Sequence, residues 1–227
     1  AVSLVAAQAG DGNWNAAPPA TNAFSVTKAL AGVTLGNLAQ SYDGTAKSAT
    51  ATTEPAGLLV EFTYDGQAWA PTNAGSYAVT GAVRGVNYAG IATGTLVVAK
   101  ATATVTLGDL AQTYDGLAKS ATATTTPEGL AVVFTYDGHA WAPTNAGSYA
   151  VTGAVNEINY AGSASDELII SRGAQTSDFP PIGDQLATNT VALSATADSG
   201  LAVGFAVASG PASISGGNNL AFSGAGE

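Results

Sequence analysis

The chain has 227 residues, of which 46% are hydrophobic, 7% aromatic and 10% charged, and its formal net charge is −10. Six Lys and Arg against sixteen Asp and Glu exclude a basic surface that tracks a phosphate backbone, so nucleic acid is not an expected partner. With no cysteine and one histidine, the chain can form neither disulfides nor Cys- or His-based metal clusters. We therefore expect a structural or binding protein with no catalytic residue, cofactor or metal, and not an enzyme.

The first 28 residues are predicted to form two strands around a loop. Residues 2–8 are an apolar run, residues 11–19 are rich in Gly, Asn and Pro, and residues 24–27 read as a second strand. We interpret residues 1–28 as the C-terminal strands of a domain whose remainder lies elsewhere, and call them the donor segment.

Residues 29–100 read as one all-β domain. Strands are predicted over residues 47–53, 58–64, 76–83 and 95–99, separated by turns with the sequences YDG, EPAG, APTNAG and NYAG. Alternation with a period of two and no helical periodicity predict a small antiparallel sandwich.

The same domain recurs over residues 101–172. VTLGNLAQSYDG, which begins at Val33, returns as VTLGDLAQTYDG at Val105, a period of about 72 residues. A duplication of roughly 70% identity indicates a module that builds length rather than a second chemistry.

A tyrosine corner is predicted in each repeat. In the sequence NAGSYAV, Tyr77 and Tyr149 would begin a strand and donate their hydroxyls to upstream backbone. Val79 and Val151 would then take the place of the second immunoglobulin cysteine.

These motifs together resemble a known family. YDG with KSAT, FTYDG, APTNAGSY and NYAG is similar to the MBG/YDG-type immunoglobulin-like repeats of large bacterial surface proteins and adhesins, over residues 29–172. The resemblance implies an extracellular or cell-surface array of immunoglobulin-like β-sandwich modules without enzyme activity, and it supplies no binding residues.

Residues 173–227 resemble the N-terminal part of a different bacterial immunoglobulin-like repeat, through SATADSGLAVGFAVASGPASIS. Residues 1–28 appended after Glu227 would complete a repeat of about 82 residues. The expected fold is therefore all-β, with tandem immunoglobulin-like β-sandwich domains and a terminal domain split between the two ends of the chain. We call residues 173–227 the acceptor segment.

Two interpretations of the split stay open. Separate subunits polymerise head to tail by donor-strand addition, or these residues are one period of a longer polypeptide. The apolar residues expected to join the two halves are Val2, Leu4, Val5, Phe24, Val26, Val203, Phe205, Val207, Leu220 and Phe222.

The function expected from this organisation is an extracellular bacterial fibre whose subunits have copies of themselves as head-to-tail partners. The alternatives are a non-polymerising stalk segment of a giant adhesin and, with less support, a carbohydrate-binding module. No run of about 18 apolar residues is present, so we do not expect the chain to span a membrane. A glycan or host ligand stays undefined.

Four aspartates lie in YDG turns, where they either cap Asp-Gly turns or hold calcium at domain junctions: Asp43, Asp65, Asp115 and Asp137. The turn interpretation is favoured because no D-x-D-x-D spacing exists. Lys47 and Lys119 are expected to be strand-edge lysines, and a Lys–Asn isopeptide bond is the alternative.

Three tryptophans are candidate contact residues. Trp69 and Trp141 are expected to cover the end of each sandwich core, and exposed aromatic contact surfaces are the alternative. Trp14 is expected to anchor the loop of the split domain. His139 replaces Gln67 of the first repeat, so we expect an exposed position without catalytic work.

Overall fold

The computed structural model describes residues 1–225, and every regular element in them is a β-strand. The all-β prediction is confirmed. Among the described residues there is no helix that is long and apolar enough to cross a membrane. The chain divides into two compact units, one of residues 1–109, 121–141 and 150–167, the other of residues 110–120, 142–149 and those from 168 onward.

The donor segment is a two-stranded ribbon in the first unit. Strands β1 (Val2–Gln8) and β2 (Ala17–Phe24) pair antiparallel, with Val2 opposite Phe24 and a register shift between Ala6 and Gln8. Every residue in both strands is exposed.

The prediction of a second strand over residues 24–27 is wrong, because β2 ends at Phe24. The chain reverses early, in a turn closed by the Asp11 N–H donating to the Trp14 carbonyl at 2.9 Å. Pairing therefore starts at Ala17 and includes Pro18 and Pro19, which lack N–H groups and are tolerated in an edge strand.

The first repeat contains eight strands: β3 (Ala29–Leu30), β4 (Gly32–Gly36), β5 (Ala39–Ser41), β6 (Thr50–Glu54), β7 (Val60–Tyr64), β8 (Gly75–Val83), β9 (Tyr88–Ala89) and β10 (Ile91–Ala99). A four-stranded sheet has the order β5-β10-β8-β7, with β5 parallel to β10 and the other pairs antiparallel. Strands β4 and β6 form a second, antiparallel sheet, and β3 pairs in parallel with β9.

The core of the first repeat lies between the four-stranded sheet and the β4–β6 sheet. Tyr64, Val79, Leu96 and Val98 are buried in it, and Leu35 of β4 packs against them. Alternate residues of β8 and β10 point inward, as the period of two predicts. Gly81 allows the close approach, since a Cβ there would lie 2.9 Å from Cδ2 of Leu35.

The predicted tyrosine corner is confirmed in both repeats. The Tyr77 hydroxyl donates to the Asn73 carbonyl at 2.9 Å, and Tyr149 donates to the Asn145 carbonyl at the same distance. Each hydroxyl spans four residues and fixes the turn that leads into the longest antiparallel pair.

The second repeat has the same eight strands one period later: β11 (Ala101–Thr102), β12 (Thr104–Gly108), β13 (Ala111–Thr113), β14 (Thr122–Thr126), β15 (Val132–Tyr136), β16 (Gly147–Val155), β17 (Tyr160–Ala161) and β18 (Ser163–Ser171). Their order, β13-β18-β16-β15, and their registers match the first repeat. Tandem β-sandwiches therefore account for residues 29–172.

The acceptor segment lies in the second unit and has few strands: β19 (Ser177–Asp178), β20 (Thr190–Ala192), β21 (Thr196–Ala197), β22 (Ala212–Ser215) and β23 (Asn219–Phe222). Strands β20, β23 and β22 form a three-stranded antiparallel sheet, and β19 pairs with β21. Residues 201–207 form no regular strand. Leu193 is the buried hydrophobic residue of this segment among those described.

Candidate joining surfaces

The proposed joining residues of the donor segment are all exposed. Pairing brings Val2 and Phe24 together at one end of the ribbon, where they are 39% and 46% exposed. Leu4 and Val5 are exposed further along β1, and Val26 lies beyond the end of β2. A two-stranded ribbon of this kind is marginally stable alone in water.

The acceptor segment has an apolar groove of about 310 Å³. Four of the proposed joining residues line it: Phe205, Val207, Leu220 and Phe222. The ring of Phe205 also lies 5.4 Å from that of Phe179, while Val203 is half-buried outside the groove lining. Among the described residues, this sheet leaves its apolar side chains incompletely covered.

The tryptophans do not cover the sandwich ends, so the prediction for Trp69 and Trp141 is wrong. Trp69 is 70% and Trp141 68% exposed, because each sits in the turn after a short bridge between Tyr64 and Gln67 or between Tyr136 and His139. Buried Tyr64 and Tyr136 close the core there instead. An exposed aromatic surface, the alternative interpretation, describes both positions.

Trp14 and His139 are also at the surface. Trp14 is 76% exposed, and its anchoring role in the split domain stays a prediction. His139 is exposed as predicted, and its ring stacks on Trp141 with centroids 4.4 Å apart and planes 20° from parallel.

The prediction that Lys47 lies at the edge of a strand is wrong. Lys47 lies before β6, is 8% exposed, and its Nζ is 2.5 Å from Oδ2 of Asp43. The hydrogen bond from this ammonium, with those from Thr45, holds the pKa of Asp43 well below its usual range. Lys119 and Asp115 repeat the pair at 2.6 Å, and the pKa of Asp115 is lowered mainly by the same bond.

The YDG aspartates act as turn residues. The Asp65 and Asp137 backbones have a φ of 47°, and their carboxylates accept the N–H groups of Ala78 and Ala150 at 2.8 Å. Within residues 1–225, no group of three or more His, Asp and Glu side chains could hold a metal ion.

A hydrogen-bonded contact between the repeats was missed in the sequence. Oδ1 of Asn159 accepts the N–H of Ala74 at 2.8 Å, and its Nδ2 donates to Oδ1 of Asn73 at 3.1 Å. The rings of Tyr42 and Tyr160 meet edge to face, 5.5 Å apart. We call these five residues the inter-repeat joint. The recurring NYAG and NAG turns were the available signal.

The fold and these contacts define a tandem β-sandwich repeat protein. The family model described as the MBG domain matches the chain over residues 31–102 and again over residues 103–174, more than half of its length. The chain belongs to the MBG-domain family, and the MBG resemblance seen over residues 29–172 is confirmed.

The comparison places the chain in a broad functional class. MBG repeats typically occur in extracellular surface proteins, and the two repeats fit an adhesin-type repeat protein of the bacterial surface. Among curated proteins, none matches the chain.

Proposed function

We propose that this chain is an extracellular spacer segment of a bacterial adhesin-type surface protein. The observation that carries the proposal is the pair of closed, near-identical sandwiches joined by a single residue. Strand β10 ends at Ala99 and β11 begins at Ala101, so Lys100 is the whole connection. Repetition with so short a connection builds length without adding a new site.

Hydrogen bonds fix the strands on both sides of Lys100. The Tyr42 N–H donates to the Ala99 carbonyl and the Ala101 N–H to the Asn159 carbonyl, both at 2.9 Å. The Lys100 ammonium donates to the Glu157 carbonyl at 2.6 Å. A chain pulled along its axis therefore loads paired strands directly, with little linker to extend first.

The pairing of β10 suits this load. It is bonded to β8 over Ile91–Val98 and to β5 over residues 97–99, so tension along β10 shears both ladders at once. The net charge of −10 disfavours lateral association of like chains.

Single-molecule pulling of the full chain tests the mechanical role. We expect two unfolding events of nearly equal contour length, one for each repeat. Leu96→Ala should weaken one event and Leu168→Ala the other, because each side chain is fully buried in its own repeat. Extension without discrete events would contradict the proposal. Antibodies that label cells only after permeabilisation would contradict the location.

A second candidate function is head-to-tail joining, in which the donor segment of one unit completes the acceptor segment of the next. The exposed ribbon of β1 and β2 and the apolar groove beside Leu220 and Phe222 support it. Covering one large apolar side chain contributes about 1.5–3 kcal/mol, so several would make a durable connection. The same pairing would operate between chains or along a longer polypeptide.

Two single variants test joining between chains. Phe24→Asp places a charge on the donor and Phe222→Asp places one in the acceptor groove. By sedimentation, we expect the parent chain to form polymers, each variant alone to stay monomeric, and their mixture to stop at dimers. The dimer forms because one intact donor and one intact acceptor remain.

Val86→Asp is the matched control, since Val86 is 90% exposed in the first repeat and outside both segments. It should polymerise like the parent. A parent chain that stays monomeric at all concentrations would eliminate joining between chains and leave the spacer function standing.

A further inference from the structure

The two repeats carry the same joint-forming residues in different surroundings. Ala74 of the first repeat is 9% exposed, whereas its counterpart Ala146 is exposed. Tyr42 is half-buried, and its counterpart Tyr114 is 44% exposed. Because the local sequences agree, the difference comes from the second repeat lying against the first.

The other half of the joint shows the same contrast. Asn159 is half-buried and uses its amide in two hydrogen bonds, whereas its counterpart Asn87 is exposed. Within the described residues, the side-chain amide of Asn87 has no hydrogen-bond partner. Asn87 therefore presents an open copy of the surface that Asn159 uses, while Tyr88 is half-buried like Tyr160.

The open surface is already formed. The Ala29 N–H donates to the Asn87 carbonyl at 2.8 Å, as Ala101 donates to Asn159, and β3 pairs with β9 as β11 pairs with β17. The Lys28 ammonium donates to the Gly85 carbonyl at 2.6 Å, which matches Lys100. Docking would therefore require little rearrangement of this turn.

We propose that the Asn-Tyr turn at the start of each NYAG sequence is a docking surface for the NAG turn of another MBG repeat. The turn at Asn159 is occupied by the first repeat. The turn at Asn87 presents the same groups to the NAG turn of an MBG repeat joined directly ahead of residue 29, a place that residues 1–28 hold in this chain. The asparagine recognises the partner, because its amide matches one acceptor and one backbone donor. The tyrosine adds an edge-to-face contact with the YDG tyrosine.

The partner is recognised by chemistry that an unrelated domain lacks. It needs an exposed backbone N–H one residue before a tyrosine-corner strand and an asparagine side-chain oxygen beside it, as Ala74 and Asn73 supply. It also needs an aromatic ring in the neighbouring YDG turn. This proposal does not depend on pairing of the donor and acceptor segments.

Spin labels on the full chain test the occupied surface. The chain has no cysteine, so Thr52→Cys and Thr124→Cys give one label in each repeat at equivalent exposed positions. We expect a narrow distance distribution in the parent and about twofold broadening with Asn159→Ala, because modules without a large interface move independently.

Asn87→Ala is the matched control in the same motif, and it should leave that distribution unchanged. Asn159→Asp keeps the acceptor for Ala74 and loses the donor to Asn73, so intermediate broadening is expected. Backbone circular dichroism should be the same in all variants. An unchanged distribution with Asn159→Ala, or equal broadening with Asn87→Ala, would overturn the proposal for the occupied surface.

The open surface is tested by inserting a second copy of residues 29–100 between Lys28 and Ala29. Labels at position 52 of both copies should report a narrow distribution, and Asn87→Ala in the original repeat should now broaden it. A broad distribution that Asn87→Ala does not alter would show that the turn does not dock a preceding MBG repeat.

Discussion

The repeats and the segments that flank them use similar residues and reach different degrees of closure. In residues 29–172, two sheets cover each other, and Leu96, Val151 and Leu168 are removed from water. In the donor segment, β1 and β2 pair with each other, and every residue in the two strands stays exposed. A ladder of backbone hydrogen bonds forms in both regions, but a core needs a second layer.

This difference shows what strand pattern alone leaves open. Leu4 in β1 and Leu96 in β10 both lie in regular strands, yet Leu4 is 59% exposed and Leu96 is fully buried. The partner sheet, supplied in the repeats by β4 and β6, decides which of the two contributes to stability.

Core truncation should separate the two regions most clearly. We expect Leu96→Ala to lower the free energy of unfolding by about 2–5 kcal/mol, because it removes packed atoms and leaves a cavity. Leu4→Ala should change it by less than about 0.5 kcal/mol. Urea denaturation followed by tyrosine fluorescence measures both. Equal losses would mean that the ribbon is also packed in solution.

Removing one buried hydroxyl should have the next largest effect. Tyr64 is 5% exposed, and its hydroxyl accepts the buried Ala49 N–H at 2.9 Å. Tyr64→Phe leaves that N–H unsatisfied, so we expect a loss of about 1–3 kcal/mol.

Tyr136→Phe should cost a similar amount, because Tyr136 repeats this bond to Ala121 at 2.9 Å. Tyr114→Phe, at an exposed ring, is the control and should be nearly neutral in the same denaturation experiment. A neutral Tyr64→Phe would show that water reaches the Ala49 N–H.

Local signals explain why so much of each repeat could be predicted. The pattern of residues 76–83 predicts nearly the whole of β8 (Gly75–Val83), since alternation and the tyrosine corner both act within a few residues. The short parallel pair of β3 and β9 was not predicted, because it joins residues far apart in sequence and has no alternation of its own.

The site was less predictable for the same reason. Asn159 and Asn73 are 86 positions apart, so nothing local marks their hydrogen bond. The exposure of Trp69 was misjudged because a large aromatic ring usually favours burial. Here the buried ring of Tyr64 fills the neighbouring core position, and the Trp69 turn lies outside it.

Acid should weaken the repeats through the aspartate–lysine pairs. The pKa values of Asp43 and Asp115 are lowered in the folded state. The two carboxylates therefore contribute to folding stability above the pKa of an unfolded aspartate, near 3.9, and this stability is lost as the pH falls below that value. We expect the melting temperature to fall as the pH is lowered below about 4. Asp43→Asn should make the melting temperature depend less on pH in this range.

The effect of this substitution should be small, because both aspartates are more than half exposed. Asp184→Asn removes the same charge from an exposed position outside the repeats and serves as the control. Thermal melts at pH 7 and pH 3 give the comparison. A steeper acid loss with Asp43→Asn would contradict the assigned direction.

The smallest expected effect is at the one ring contact that distinguishes the repeats. His139 stacks on Trp141, and the first repeat has Gln67 at the equivalent position. His139→Gln removes the stacked ring from an exposed turn, so we expect less than about 0.5 kcal/mol change in stability. The emission of Trp141 should change and that of Trp69 should not.

Single-tryptophan backgrounds make this measurement specific, with the other two tryptophans replaced by Phe. Gln67→His is the reciprocal variant and should give Trp69 the emission that Trp141 has in the parent chain. If it does, the two turns differ only in that ring, and the scaffold around them is equivalent. If Trp69 does not respond, the backbone of the two turns differs despite the shared bridge between the YDG tyrosine and residue 67 or 139.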